Sequence, residues 1–401
     1  MSRSLVMLFF VALLLQSGPV FGDTEPAAKA EAAPAEAGAG GDFGGMAAVL
    51  RQGGVEQLRQ ALTLGLDVNM VDGPDGLTPL MVAAASNPSP SVITLLAERG
   101  ADLEARETRY GLTPLMFAAS FNQAPVVTAL IQAGAEVNQR DNQGGTAAYH
   151  AAAVNRNPGI IYALADGKAN LELGDQNQRT PLMQAAGAGN LQALRMLVQW
   201  EVRINNVDSR GRTALWVAAA ETKAASVIEG LVKAGASLEA RDQDGLTPLL
   251  AAAAVNIDLT VLEALKEAGA DLKAVDENGS DALLLACLSN SNVEIIKYLV
   301  RYGADLNTPR ANGLTPLLAA AGNIESEVAK FLILSGADVS AKDPQGRNSL
   351  ALAVWLNPND EVAKIMVNGG VDPTEKDALG RTPIDYAGDQ RPELVQFLQR
   401  K

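Results

Sequence analysis

Nearly the same nine residues recur four times in this chain: GLTPLMVAA at residues 76–84, GLTPLMFAA at 111–119, and GLTPLLAAA at both 245–253 and 313–321. Weaker copies fill the gaps. The Thr of each stretch, or the residue standing for it, falls at Thr78, Thr113, Thr146, Thr180, Thr213, Thr247, Asp281, Thr315, Asn348 and Thr382, spaced 35, 33, 34, 33, 34, 34, 34, 33 and 34 residues apart. A period this steady argues against one core assembled from distant parts of a 401-residue chain. It points instead to an array of small units, each covering its neighbours' apolar faces. Apolar residues make up 48% of the chain and aromatics only 4%. That balance suits thin helices in close approach better than a sandwich or barrel.

One unit, residues 244–274, explains how the pattern folds. Thr247 can cap a helix whose first turn holds Pro248, where a missing N–H costs nothing. A short, flat Ala-rich helix follows. Asn256 ends it, as do Asn87, Asn122, Asn155, Asn290 and Asn357 in the same slot, and a left-handed exit is expected there. A second helix carries apolar pairs four residues apart, such as Ile295, Ile296, Leu299 and Val300, which make one buried stripe. Gly100, Gly235, Gly269, Gly303 and Gly336 stand just past these helices as exit glycines. The segment before the next Thr is rich in Asp, Asn and Gly, as a hairpin-like turn demands.

With these features the chain resembles the ankyrin repeats from Val71 to its end, and residues 43–64 supply an opening helix pair. The resemblance implies an all-α repeat solenoid, an ankyrin-type array of about eleven helix pairs joined by hairpin-like turns. Polar segments at both ends read as N- and C-terminal capping units. The family's TPLH places His fourth; here that slot holds Met81, Met116, Tyr149, Met183, Trp216, Leu250, Leu284, Leu318 and Ala351, so an apolar contact with the next repeat is expected in place of the histidine's hydrogen bonds. Two units depart at their exits: residues 200–205 lack the glycine and residues 166–172 carry it one position early, which predicts local irregularity.

Residues 1–22 are a different material. Arg3 precedes an apolar run from Leu5 to Leu15, with small residues before a cut at Asp23, the pattern of a cleaved signal peptide. The run is too short to span a bilayer, which takes about 20 residues. No membrane insertion is expected after cleavage. Residues 23–41, rich in Ala, Pro, Glu and Gly, read as a disordered linker, and 42–401 as the solenoid domain. A net charge of −14 argues against nucleic acid and anionic membrane surfaces. The leader and spacer suggest a bacterial protein, periplasmic or secreted.

Searching for chemistry yields little. There is no HExxH, nucleophile elbow or Walker A loop. His150 is the one histidine and reads as a partly buried packing residue, with a pH-sensitive contact as the alternative. Cys287 fills an Ala slot and reads as a small core residue. The DQDG and DENG segments at 242–245 and 276–279 lack the spacing and closing Glu of an EF-hand, so turn chemistry accounts for them. We therefore expect no catalytic residues, no cofactor and no metal.

What remains is a surface. In ankyrin-like proteins the turn tips and the exposed side of the first helices line a concave groove that binds other proteins, and here the tips are rich in Arg, the residue favoured in interface hot spots. The partner-binding candidates are Arg109, Tyr110, Phe121, Arg140, Arg179, Arg210, Arg212, Arg241, Arg310 and Lys342, facing a protein of acidic or mixed charge. The bland alternative is that the tips are merely solvated; Phe121 could pack inside and Tyr110 could only brace its longer turn. The leading expectation is an exported, non-enzymatic, monomeric scaffold. A secreted effector or inhibitor acting through the same groove is the alternative, and an enzyme with an unrecognised site is a third class.

Overall fold

The computed structural model describes residues 46–310, 313–387 and 391–400. The leader at 1–22 and the spacer at 23–41 lie outside the described residues. Among those described there are 21 α-helices and one 3-10 helix, with isolated two-residue bridges and no strand. They fall into eleven helix–helix pairs, from Ala47–Gln52 with Val55–Thr63 to the 3-10 turn Pro383–Tyr386 with Pro392–Gln399. No described helix is long and apolar enough to cross a membrane. The chain divides into two compact units, one comprising 46–218 with 226–237, the other 219–225 with 238–400.

Every predicted cap position begins a helix. The Oγ1 of Thr78, Thr113, Thr146, Thr180, Thr213, Thr247 and Thr315 accepts the N–H three residues on. Asp281 and Asn348 do the same with a carboxylate and an amide oxygen, at 2.9 Å each. Thr382 is capped the other way round, since the Asp385 carboxylate accepts both its N–H and its hydroxyl. Each cap satisfies one of the donors a helix start leaves open and contributes about 1 kcal/mol.

The asparagine slot works differently from its sequence reading. None of these residues is left-handed: Asn256, Asn290 and Asn357 have φ near −80° to −95° and extended ψ. Instead the side chain, buried in all but the half-buried Asn155, donates its amide to two carbonyls of the preceding repeat. Asn290 reaches Ala253 O and Asn256 O at 2.9 Å each, and Asn323 reaches Cys287 O and Asn290 O at 3.1 Å each. Because each Asn also offers its own carbonyl to the next, the amides run as ladders. One run joins Asn87, Asn122, Asn155 and Asn190 in the first unit; another joins Asn256, Asn290, Asn323 and Asn357 in the second. Thr222 stands where a rung would be, and its hydroxyl accepts the Ala224 N–H at 3.1 Å.

A second ladder runs along the connections that follow the second helices. The Oδ1 of Asn69 accepts the Asp102 N–H while its Nδ2 donates to the Gly100 carbonyl; Asn205 treats Ser237 and Gly235 alike, and Asn307 treats Asp338 and Gly336 alike. At the exits themselves the expected glycines have φ between +82° and +100°. The two irregular units keep that conformation without glycine. Lys168 (φ 70°) and Glu201 (φ 57°) adopt it, at a cost of order 1 kcal/mol each. Cys287 is fully buried in its Ala slot, where burial pushes its thiol pKa up.

Candidate partner-binding face

Most of the turn tips are built around one carboxylate. Asp141 Oδ1 accepts the N–H groups of Gln143 and Gly145 at 2.8 Å each, and Asp175, Asp208, Asp242, Asp276, Asp343 and Asp377 hold their turns in the same way. The spare Oδ2 then recruits a partner. Arg212, Arg347 and Arg381, four residues on, bring a guanidinium N to Asp208, Asp343 and Asp377 at 2.7, 2.5 and 2.8 Å. Each of these guanidiniums also lies over an aromatic ring: Trp216 at 5.2 Å, Trp355 at 4.7 Å and Tyr386 at 4.6 Å.

Other cations near the tips reach along the array. Arg106 donates to Arg140 O and Arg140 to Gly174 O, while Arg241 donates to both Gly245 O and Val275 O at 2.6 Å. Lys342 pairs with Glu375 at 2.7 Å. Arg310 occupies the slot that holds the turn carboxylate in its neighbours. It pairs with Asp281, the one Asp among the caps of the first helices, at 2.5 Å, and also donates to Asp305 O and Thr308 O. Its side chain is only 8% exposed. Arg179 and Arg210 are half-buried, with their own N–H groups on Asp175 and Asp208. The cations that looked like free tips in the sequence thus include five, at 140, 212, 241, 310 and 342, that spend donors within the protein.

Three candidates face solvent together on one repeat. The turn 107–111 is one residue longer than most, and Glu107 takes the aspartate's part: buried, its carboxylate accepts the N–H groups of Arg109, Tyr110 and Leu112. The extra residue pushes Arg109 and Tyr110 outward, with the guanidinium 5.0 Å over the ring centroid and Tyr110 38% exposed. Gly111 closes the turn at φ +72°, where an added Cβ would meet Asn142 Oδ1 at 2.4 Å. Phe121 ends the helix Pro114–Phe121 at 37% exposure, and Phe117, one turn earlier on the same face, is half-buried.

The next repeat adds polar groups whose partners the sequence did not name. His150, read as a packing residue, lies 2.7 Å from Asp141 Oδ2 through Nε2, with its ring edge-on to Tyr149. Burial works to raise the Asp141 carboxyl, but His150 and the turn N–H groups outweigh it and hold it below its usual value. Tyr149, in a slot expected to make only apolar contact, donates its hydroxyl to Asp175 Oδ2 at 3.0 Å and accepts from Gln184 Nε2. Burial, followed by the charge of Asp175, drives its pKa up. Met81, Met116 and Met183 place sulfur 3.4 to 3.5 Å from the N–H of their cap Thr, a weak acceptor where the family has imidazole. The nine-residue spacing from Asp141 to His150 was the signal available. No group of three or more His, Cys, Asp or Glu poised to hold a metal occurs among the described residues.

The family model for ankyrin repeats (three copies) matches residues 46–141, 149–242, 219–310 and 249–343. Human neurogenic locus notch homolog protein 2 is 34% identical over 193 residues, 44% of this chain and 8% of that protein. Neurogenic locus notch homolog protein 1 of Danio rerio is 33% identical over 192 residues, 44% of this chain and 8% of that one. Human SH3 and multiple ankyrin repeat domains protein 2 is 31% identical over 165 residues, 41% and 9% of the two chains. The chain therefore spans less than a tenth of the length of these curated relatives. Among solved structures, the human ASB11 ankyrin repeat domain aligns with a TM-score of 0.49 at 24% identity, over 55% of this chain and 97% of that one.

Proposed function

The chain belongs to the ankyrin-repeat family, and on that footing we propose that it is a non-enzymatic scaffold, exported to the periplasm, that holds another protein against its turn tips and first helices. Ankyrin repeats are protein–protein interaction modules. The observation that carries the site is the exposure of two aromatic side chains on the second full repeat. Tyr110 and Phe121 are exposed there, whereas most apolar residues of the first helices are buried. An amphipathic aromatic presented on a rigid turn is what interface hot spots are made of. Arg109, stacked on Tyr110, adds a cation suited to a carboxylate at the rim. The intramolecular pairing of the other tip cations weakens the case for a partner selected by bulk charge and favours a few aromatic anchors.

The test uses the chain from Asp23 to Lys401 as bait in envelope extract, beside a Tyr110→Ala/Phe121→Ala double variant. Both rings are partly buried, so the variant is first matched to the wild type by its unfolding midpoint. Proteins retained by the wild type and lost from an equally stable variant establish the face. Equal retention by both baits removes it. Export is tested separately: with residues 2–22 deleted the protein should remain in the cytoplasm, and finding it still in the periplasm refutes the leader's role.

A further inference from the structure

The ladder of connections that begins at Asn69 alternates in a way no helix or turn rule requires. Over six consecutive repeats, the residue three before the turn carboxylate is Asn69, Glu104, Asn138, Glu172, Asn205 and Glu239. An Asn rung is bifunctional, accepting an N–H and donating to the carbonyl of the exit residue. A Glu rung supplies only the acceptor. Glu104 Oε1 accepts the Glu136 N–H at 2.7 Å, Glu172 Oε1 the Arg203 N–H at 2.9 Å, and Glu239 Oε1 the Asp271 N–H at 2.9 Å. Glu172 gives its second oxygen to the Arg203 guanidinium. The second oxygen of Glu104 is buried with no hydrogen-bond partner among the described residues.

We propose that Glu104 is a proton-operated rung, joining the second and third full repeats more tightly when its carboxyl carries a proton. The neutral acid has the Asn pattern: Oε1 keeps the Glu136 N–H, and an Oε2–H donates to the carbonyl of Gly134, the residue corresponding to Gly100 at the Asn69 rung. The ionised acid has no proton to donate and leaves a buried oxygen desolvated, which is costly. The charged groups facing it are the carboxylates of Glu136 and Asp102 and the guanidinium of Arg106. Burial, first of all, raises its pKa above the ordinary 4.5; the Glu136 N–H opposes this, the Glu136 and Asp102 carboxylates add to it, and Arg106 opposes it. A carboxyl whose folded pKa is raised contributes stability that is fully present below its unfolded pKa. That contribution is lost as pH rises through the folded value. The two repeats so joined carry Tyr110, Phe121 and His150, so the rung bears on the proposed binding face.

The test compares the full chain with its Glu104→Gln and Glu172→Gln variants by amide hydrogen exchange, from about pH 8 down to about pH 4, below the ordinary Glu value. Gln supplies permanently the donor that a protonated Glu104 supplies only in acid. At the upper end, the Glu136 amide should exchange more slowly in Glu104→Gln than in the wild type. The ratio should reach about tenfold for each unit by which the fold raises the pKa, and shrink toward one as the pH falls. Glu172→Gln, which loses its partner Arg203, should move the other way, with faster exchange at the Arg203 amide. A Glu104→Gln ratio that is constant across the range, or an amide that exchanges faster in the variant, overturns the proposal.

Discussion

Arg310 and Asp281 each depart from the repeat pattern, and each departure makes sense only in the presence of the other. Exchanging both for the residues their neighbours use, as Asp281→Thr with Arg310→Asp, turns that statement into numbers. In the native protein the two charges lie 2.5 Å apart at their nearest atoms, with side chains 8% and 17% exposed. At a charge separation of about 4 Å and an effective dielectric of about 20, their attraction is roughly 4 kcal/mol. Asp281→Thr alone keeps a competent cap, since seven other helices use Thr, so its cost is that of a buried guanidinium left with only the Asp305 and Thr308 carbonyls, about 3 kcal/mol. Arg310→Asp alone removes the cation and sets a second carboxylate near the first, at a similar or larger cost. The double variant restores Thr cap and turn Asp together and should lie within about 1 kcal/mol of the wild type. Urea unfolding followed by far-UV circular dichroism, on all four proteins, gives a coupling of about 3 kcal/mol or more. If the two single costs simply add, to within about 0.5 kcal/mol, the paired-departure argument fails.

Asn290→Ala should destabilise its repeat by about 2–4 kcal/mol, because two buried carbonyls lose their donor at once; unfolding midpoints of the variant against Asn290→Asp separate lost packing from lost donors. Glu201→Gly and Lys168→Gly should each raise stability by about 0.5–1 kcal/mol, since both positions hold positive φ without glycine, and a drop in the melting temperature of either contradicts that account. Burial works to raise the Asp377 carboxyl, but hydrogen bonds from Tyr386 and from Arg381 and Leu379 hold it well below the carboxylate range, so its contribution is present above the ordinary Asp value of 3.8 and lost as pH falls through the folded value; Asp377→Asn should flatten the acid limb of the stability profile.

The array was legible because its signals are local. A Thr, a Pro one residue on and an Ala face specify a capped short helix without reference to anything else, and all ten cap positions held even where Asp281 and Asn348 replaced Thr. The asparagines were legible as a slot and misread as a role. The left-handed rule considers a residue and its own helix, whereas the partners of Asn290 lie 34 and 37 residues back. Glycine-free exits at Lys168 and Glu201 show the reverse, with the array enforcing a conformation the residue disfavours. The candidate face was least legible. Counting Arg at the tips cannot distinguish a solvated guanidinium from one folded onto Asp208 or Asp343, although the four-residue spacing to those carboxylates was there to be read. Tyr110 and Phe121 are exposed because a longer turn and a helix end carry them outward, and both facts depend on register.

The asparagine ladder bears on how a chain like this can change length. Each rung asks for the same two acceptors, a carbonyl near the end of a first helix and that of the preceding rung. Excising residues 257–290 would hand Asn323 the carbonyls of Ala253 and Asn256 in place of those of Cys287 and Asn290, an exchange of like for like. Insertion of a unit is equally neutral to the ladder. Selection on such a gene can therefore add or delete whole modules by unequal recombination, reshaping what is displayed along the turns while the hydrogen-bonded spine remains in register.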